Sequence, residues 1–245
     1  MAIASVGDYY LFCSRWASAK PAQEHSLGFV LNRTSLGLPK PVTVARHLKR
    51  QDKTLAAVVR GTEHCPLFDQ RQLSEGELFR RLARSIVGQQ LSTHAARGIW
   101  QRIAAPVKGR GGYHTRFLSL TAREAKKVGL SRQKTAYLQA LANCHRDGGI
   151  RLSSLRTASD EAVVAQLCTL SGVGLWTSEM FLISCLKRLD IFSLGDAGLR
   201  RAICRLYQLQ TPADEDLLCI AEHWRPYRSV ASWHLWHALD NNWIE

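Results

Sequence analysis

From residue 43 onward, apolar side chains recur at every third or fourth position, the period of a helix that buries one face. Val44, His47 and Leu48, then Leu55, Val58 and Val59, open this pattern behind Thr43, a residue able to cap a helix. Leu78, Phe79, Leu82 and Ile86 share a stripe within 77–87, with Arg80, Arg81 and Arg84 off it and Gly88 as the stop. Ser92 or Thr93 opens the next helix, which carries Ala95, Ala96, Ile99, Trp100 and Ile103 inward. Residues 108–113 are Gly-rich and basic and read as a loop. Thr121 and Glu124 have the spacing of a capping box, Gly129 suits a helix C-terminus, and Ser131 caps a further helix with Ala136, Tyr137, Leu138 and Leu141 inside. Helices follow over 160–169, 175–187, 197–207, 213–224 and 228–239. No alternating run is long enough to argue a sheet, so the expected fold is all-α. Residues 1–41, with Pro21, Pro39 and Pro41, fall outside the pattern and are assigned to an N-terminal extension, leaving 42–245 as the helical domain.

Charge changes the picture. The 245 residues carry a net +13, and 46% of them are apolar, enough for a substantial core. Between Arg80 and Lys134 stand thirteen Lys or Arg and one acid, Glu124, so these 55 residues hold +12 of the total. A solvated helical face mixes signs; one this biased fits a polyanion, nucleic acid first and an anionic membrane surface second. The seven cysteines are odd in number, and the nearest two lie 15 residues apart. That spacing argues against a zinc ribbon or iron–sulfur loop and for reduced thiols in a cytosolic protein. No run of 18 apolar residues suggests a membrane span, and the N-terminus lacks the basic start of a signal peptide.

Two segments carry candidate chemistry. In Leu170-Ser171-Gly172-Val173-Gly174-Leu175-Trp176 a very short turn joins two helices within a hairpin at 167–181. The glycines permit positive φ and close approach, Val173 packs back between the helices, and the second helix presents free N–H groups to an anion such as phosphate. Taken alone, this is also how an ordinary tight helical hairpin is made. Downstream, Asp196 in Ser193-Leu194-Gly195-Asp196-Ala197-Gly198 precedes a helix and is a good N-cap. A carboxylate at a helix N-terminus can also stabilise an oxocarbenium-like sugar or deprotonate water.

Together with Ser85-Ile86-Val87-Gly88-Gln89-Gln90-Leu91-Ser92, Gly129-Leu130-Ser131-Arg132-Gln133-Lys134 and Trp224-Arg225-Pro226-Tyr227-Arg228, these segments resemble the helix-hairpin-helix-Gly/Pro-Asp DNA glycosylases. The resemblance is to the 3-methyladenine DNA glycosylase II branch, and it runs in order from about residue 43 to residue 241. It implies two helical lobes with the active site in the cleft between them. It also implies a base-flipping enzyme that hydrolyses the N-glycosidic bond of alkylated bases in duplex DNA, with Asp196 catalytic. The amides of Gly172, Val173 and Gly174 would hold a phosphate. Main-chain carbonyls of Cys168, Leu170 and Val173 would hold a structural Na⁺ or K⁺. Gln90, or failing that Leu91, would fill the gap left by the flipped base, with Gln89, Ser92, His94 and Lys134 as further DNA contacts. Trp176 stands where bifunctional relatives carry a Schiff-base lysine, so no lyase chemistry is expected. An indole there suits a cationic alkylated purine. Tyr137, Trp224 and Tyr227, and also Trp233, compete for places in the base pocket. No required cofactor and no iron–sulfur cluster are expected. The implied protein is a monomer associated with DNA in the cytoplasm, nucleoid or nucleus. The rivals are a catalytically silent damage-binding protein and a glycosylase for other lesions.

Overall fold

The computed structural model describes residues 38–60, 65–106 and 112–244, and the extension expected over 1–41 lies almost wholly outside them. Among the described residues there are eleven α-helices and no strand: α1 (Pro41–Gln51), α2 (Glu75–Gly88), α3 (Thr93–Ala104), α4 (Gly112–Leu118), α5 (Ala122–Val128), α6 (Arg132–Arg146), α7 (Asp160–Cys168), α8 (Leu175–Ser184), α9 (Ala197–Leu206), α10 (Asp214–Glu222) and α11 (Arg228–Asp240). None of them is long and apolar enough to cross a membrane. The six described cysteines are free thiols.

Side-chain caps set most of the helix starts. Ser92 accepts the Ala95 amide (3.2 Å), Ser131 the Lys134 amide (3.2 Å), and Thr121 with Glu124 closes a reciprocal box. A second box, Ser74 with Glu77, starts α2 two residues earlier than its apolar stripe suggests. Three expectations are corrected. Thr43 is not a cap: α1 starts at Pro41 after Lys40, because proline already has the φ of a first helical residue. The loop expected over 108–113 gives way to helix by Gly112, and residues 107–111 lie outside the described ones. The helix expected over 175–187 ends at Ser184, where Lys187 then takes a positive φ of 57°.

The apolar stripes converge on two cores. One gathers α2 to α8 around Phe79, Ile86, Phe117, Leu138 and Leu167. The other gathers α1 with α9, α10 and α11 around Leu48, Leu199, Trp224 and Leu235. Helix α8 serves both, with Phe181 and Leu182 in the first and Ile183 in the second. The expected two-lobe arrangement is therefore present, and α8 lies at the seam.

Candidate active site

The segment leading to Asp196 is locked from α11. The Arg228 guanidinium grips the Asp190 carboxylate through two nitrogens (2.8 and 3.1 Å) and its main-chain carbonyl (2.8 Å). The Ser229 amide donates to the Leu189 carbonyl (2.9 Å), and the Ile191 amide donates to the Ser229 hydroxyl (2.8 Å). This accounts for the Trp-Arg-Pro-Tyr-Arg segment: its arginines Arg225 and Arg228 anchor the chain six residues before the carboxylate rather than meeting a ligand.

Asp196 caps α9, its Oδ1 accepting the Leu199 amide (2.6 Å). Two indoles add to this. Trp176 donates to Oδ2 (2.8 Å) from the first turn of α8, and Trp236 donates to Oδ1 (3.0 Å) from α11. A Cβ at Gly198 would lie 3.2 Å from Asp196 Oδ1 and 3.7 Å from the Trp236 ring, so glycine there leaves room for the indole to reach the carboxylate. Three N–H donors thus orient the carboxylate. Oδ1 carries two of them and Oδ2 one, which leaves Oδ2 the greater capacity to face a substrate.

Glu179 stands one helical turn after Trp176 and accepts the Ser193 hydroxyl (2.5 Å), while the Ser193 carbonyl accepts the Asp196 amide (3.1 Å). Burial, reinforced by the nearby Asp196 and opposed by the Ser193 hydrogen bond, pushes the Glu179 carboxyl up to about 7.

The hairpin turn lies between α7 and α8. Gly172 has φ +81°, and a Cβ there would fall 2.2 Å from the Tyr137 ring, so only glycine fits on both counts. Gly174 is extended, with open space where a Cβ would point. Val173 is buried between the helices, as its apolar character suggests, and its amide closes the turn on the Leu170 carbonyl (3.0 Å). No side chain caps α8, so its first amides have no acceptor within the helix.

The structure redistributes several expected contacts. Trp224 is fully buried and donates to Asp52 (2.8 Å); it is a core residue, not a pocket wall. Tyr227 packs edge-on against His47 (5.2 Å) at the start of α11, about 13 Å along the helix axis from Trp236 at 1.5 Å per residue. Its described ring contact is with His47 of α1, not with the Trp176–Asp196–Trp236 group. Tyr137 supports Gly172, its hydroxyl taking a hydrogen bond from Gln133 (2.6 Å), and Trp233 stacks on His237 (5.1 Å). Lys134 is turned inward onto the carbonyls of Val87 (2.8 Å) and Gln89 (2.6 Å), where burial lowers its pKa, so it closes the end of α2 instead of meeting a phosphate. Gln89 likewise reaches inward, to the Gly172 carbonyl (2.8 Å) and the Thr177 hydroxyl (3.1 Å), and ties its loop to the hairpin. Gln90, Leu91, Ser92 and His94 are exposed, and Gln90 has φ +56°. Sequence reasoning missed Trp236, Glu179 and Ser193. A signal existed for the first only, since Trp233 and Trp236 stand close together on one helix.

A DNA-3-methyladenine glycosylase of Saccharomyces cerevisiae is 27% identical over 234 residues, 80% of this chain and 79% of that protein. A Bacillus subtilis relative is 32% identical over 122 residues, and the match spans 49% of this chain but only 42% of that one. Among solved structures, a DNA-3-methyladenine glycosidase from Bacillus halodurans aligns with a TM-score of 0.62 at 28% identity, over 83% of this chain and 91% of that one. The 3-methyladenine DNA glycosylase of Schizosaccharomyces pombe, solved with abasic DNA, shares the fold at a TM-score of 0.69 and 24% identity, over 80% of this chain and 96% of that one. With residues 83–226 matching its model, the chain belongs to the HhH-GPD superfamily of base excision DNA repair proteins.

Proposed function

We propose that the chain is a monofunctional DNA glycosylase that releases alkylated bases of the 3-methyladenine and 7-methylguanine type from duplex DNA. The observation that carries this reading is the Asp196 carboxylate, held by the Trp176 and Trp236 indoles and the Leu199 amide. The damaged nucleotide leaves the duplex and its base stacks in the site. Trp176, fixed by its bond to Asp196 yet 36% exposed, offers an indole to a cationic ring, worth about 1–2 kcal/mol when desolvated. An alkylated purine leaves as a neutral base and needs no general acid. As the C1′–N bond breaks, Asp196 stabilises the oxocarbenium-like sugar and orients the water that attacks C1′. An abasic site remains, since Trp176, bonded to Asp196, stands where a Schiff-base lysine would be needed.

Gln90 and Leu91, exposed at the tip between α2 and α3, fill the gap in the duplex, and the α8 N-terminus holds a nearby phosphate. A monovalent cation would be held by the carbonyls of Cys168, Leu170 and Val173; the Leu170 oxygen accepts one amide and keeps a second lone pair. In this reading the enzyme acts as a monomer without a redox cofactor, wherever the cell keeps its DNA. The test is to incubate the protein with methylated genomic DNA and identify released bases by mass. Release of 3-methyladenine or 7-methylguanine is expected, with a loss of at least about 100-fold in Asp196→Asn, the scale of removing a preorganised electrostatic group. Binding without release would make the protein a damage sensor. A borohydride-trapped covalent adduct would make it a lyase.

A further inference from the structure

We propose that Glu179 is a positioning residue for base release: its carboxyl fixes the Ser193–Asp196 turn through the Ser193 hydroxyl and places a second negative charge beside Asp196. This rests on the glycosylase reading above and adds to it a group that touches neither base nor sugar.

The geometry is a two-point clamp. Helix α8 presents Trp176 and Glu179 at i and i+3, on one face. Trp176 holds the Asp196 carboxylate directly (2.8 Å), and Glu179 holds Ser193 (2.5 Å), whose carbonyl takes the Asp196 amide (3.1 Å). Ser193 is fully buried, so its hydroxyl has no bulk water to turn to.

The charge on Glu179 is balanced near neutrality, where burial and Asp196 push it up to about 7. Other charged groups on the elements around α8 are turned elsewhere. Arg81 of α2 donates to the Ser184 carbonyl (3.3 Å), Asp160 at the start of α7 pairs with Arg188 (2.9 Å), and Glu161 is exposed. Asp69, which follows the turn at Pro66–Phe68, acts on Lys187, and Arg200 of α9 pairs with Asp214 (2.6 Å). Asp196 is therefore the charge that Glu179 works with. When Glu179 ionises, the site holds two negative charges where an alkylated base arrives positive and a sugar becomes positive. A unit charge within about 10 Å at an effective dielectric near 20 alters such a step by on the order of tenfold.

Single-turnover release from methylated duplex DNA, measured from pH 5.5 to 8.5, reads this directly. The wild-type rate is expected to rise about tenfold through an inflection near 7. Glu179→Gln, which still accepts from Ser193 but carries no charge, gives a flat profile at the low-pH rate. Ser193→Ala removes a donor that favours the ionised form, and so moves the inflection to higher pH. A purely structural role would instead lower every rate equally and leave the inflection in place. A Gln variant with the wild-type profile overturns the proposal, as does a Ser193→Ala profile that is lower but unshifted. A second arm measures equilibrium binding of duplex DNA with a cationic pyrrolidine in place of one deoxyribose. A pH step in affinity that wild type shows and Glu179→Gln lacks supports the proposal; the same step in both overturns it. If wild type releases no base at any pH, the glycosylase reading fails, and this binding arm still decides whether Glu179 contributes its charge.

Discussion

Asp52 and Asp196 each accept an indole N–H, and the two pairs are predicted to behave in opposite ways. Trp224 donates to Asp52 (2.8 Å), which also accepts the Tyr207 hydroxyl and the Leu55 amide (2.9 Å), in a corner packed around a fully buried ring. Trp236 donates to Asp196 (3.0 Å) at the seam of the two cores. Phenylalanine at either position keeps a ring and removes the donor. For Trp224→Phe the cost falls on folding, about 1–3 kcal/mol for a donor lost to a buried acceptor, read as a lower Tm with base release per folded molecule unchanged. For Trp236→Phe the melting curve holds while single-turnover release drops about 10- to 100-fold, the worth of one charge-assisted hydrogen bond. Glu179 adds a pH prediction for stability. Its folded pKa of about 7 lies above the ordinary 4.5, so between those values the folded state binds the proton more tightly than the unfolded chain. Stability from this group is present at low pH and is lost as pH rises through the window, by on the order of 2–3 kcal/mol. Chemical denaturation at pH 5 and pH 8 should show that difference in wild type and a much smaller one in Glu179→Gln.

At the scale of elements, the hairpin separates two glycines that look alike in the sequence. Gly172→Ala forces a methyl group into the Tyr137 ring at a positive φ, and α7, α6 and the turn must shift. Gly174→Ala meets open space and extended backbone. The first variant should lose at least about 2 kcal/mol of stability, the combined scale of overpacking and a strained backbone. The second should melt like wild type and, under the proposed reading of the α8 N-terminus as a phosphate site, bind duplex DNA less tightly. The same contrast marks how far the sequence could be read. Caps at Ser92, Thr121 and Ser131 were legible because a cap and its amide lie within four residues. The Ser74–Glu77 box has the same local signature and lay outside the apolar stripe used to find α2. Which tryptophan reaches Asp196 was not legible. Trp224 precedes α11 and turns to Asp52, while Trp233 and Trp236 differ only in how α11 crosses α9, and that crossing depends on Gly198 and on the Arg228–Asp190 grip. The inward turn of Lys134 was hidden for a similar reason: a lysine in a basic stretch looks like its neighbours until a helix end lies within its reach.

For the molecule as a whole, the surplus of positive charge predicts DNA binding that weakens steeply with salt. Each phosphate contact contributes a slope of about 0.9 in log K against log salt. Arg97 is exposed on α3, so Arg97→Ala should reduce the slope by about one without lowering Tm, if that face meets the duplex. Lys134→Ala should do the reverse: the slope stays, and the protein melts earlier because two carbonyls at the end of α2 lose their donor. A titration of fluorescent duplex at several salt concentrations, with a melt of each variant, separates the two.

Helix α8 belongs to both cores, and the second core is built from α1 together with α9, α10 and α11. During synthesis α1 emerges before α9, α10 and α11. The apolar stripe of α1, with Val44 and Leu48 fully buried in the finished protein, therefore waits until nearly the whole domain has emerged before its partners exist. The helices α2 to α7 come out as one uninterrupted block and can settle meanwhile. The indole from α11 that grips the carboxylate emerges after the other helices of the second core, so a chain cut short before α11 lacks it and cannot assemble the site.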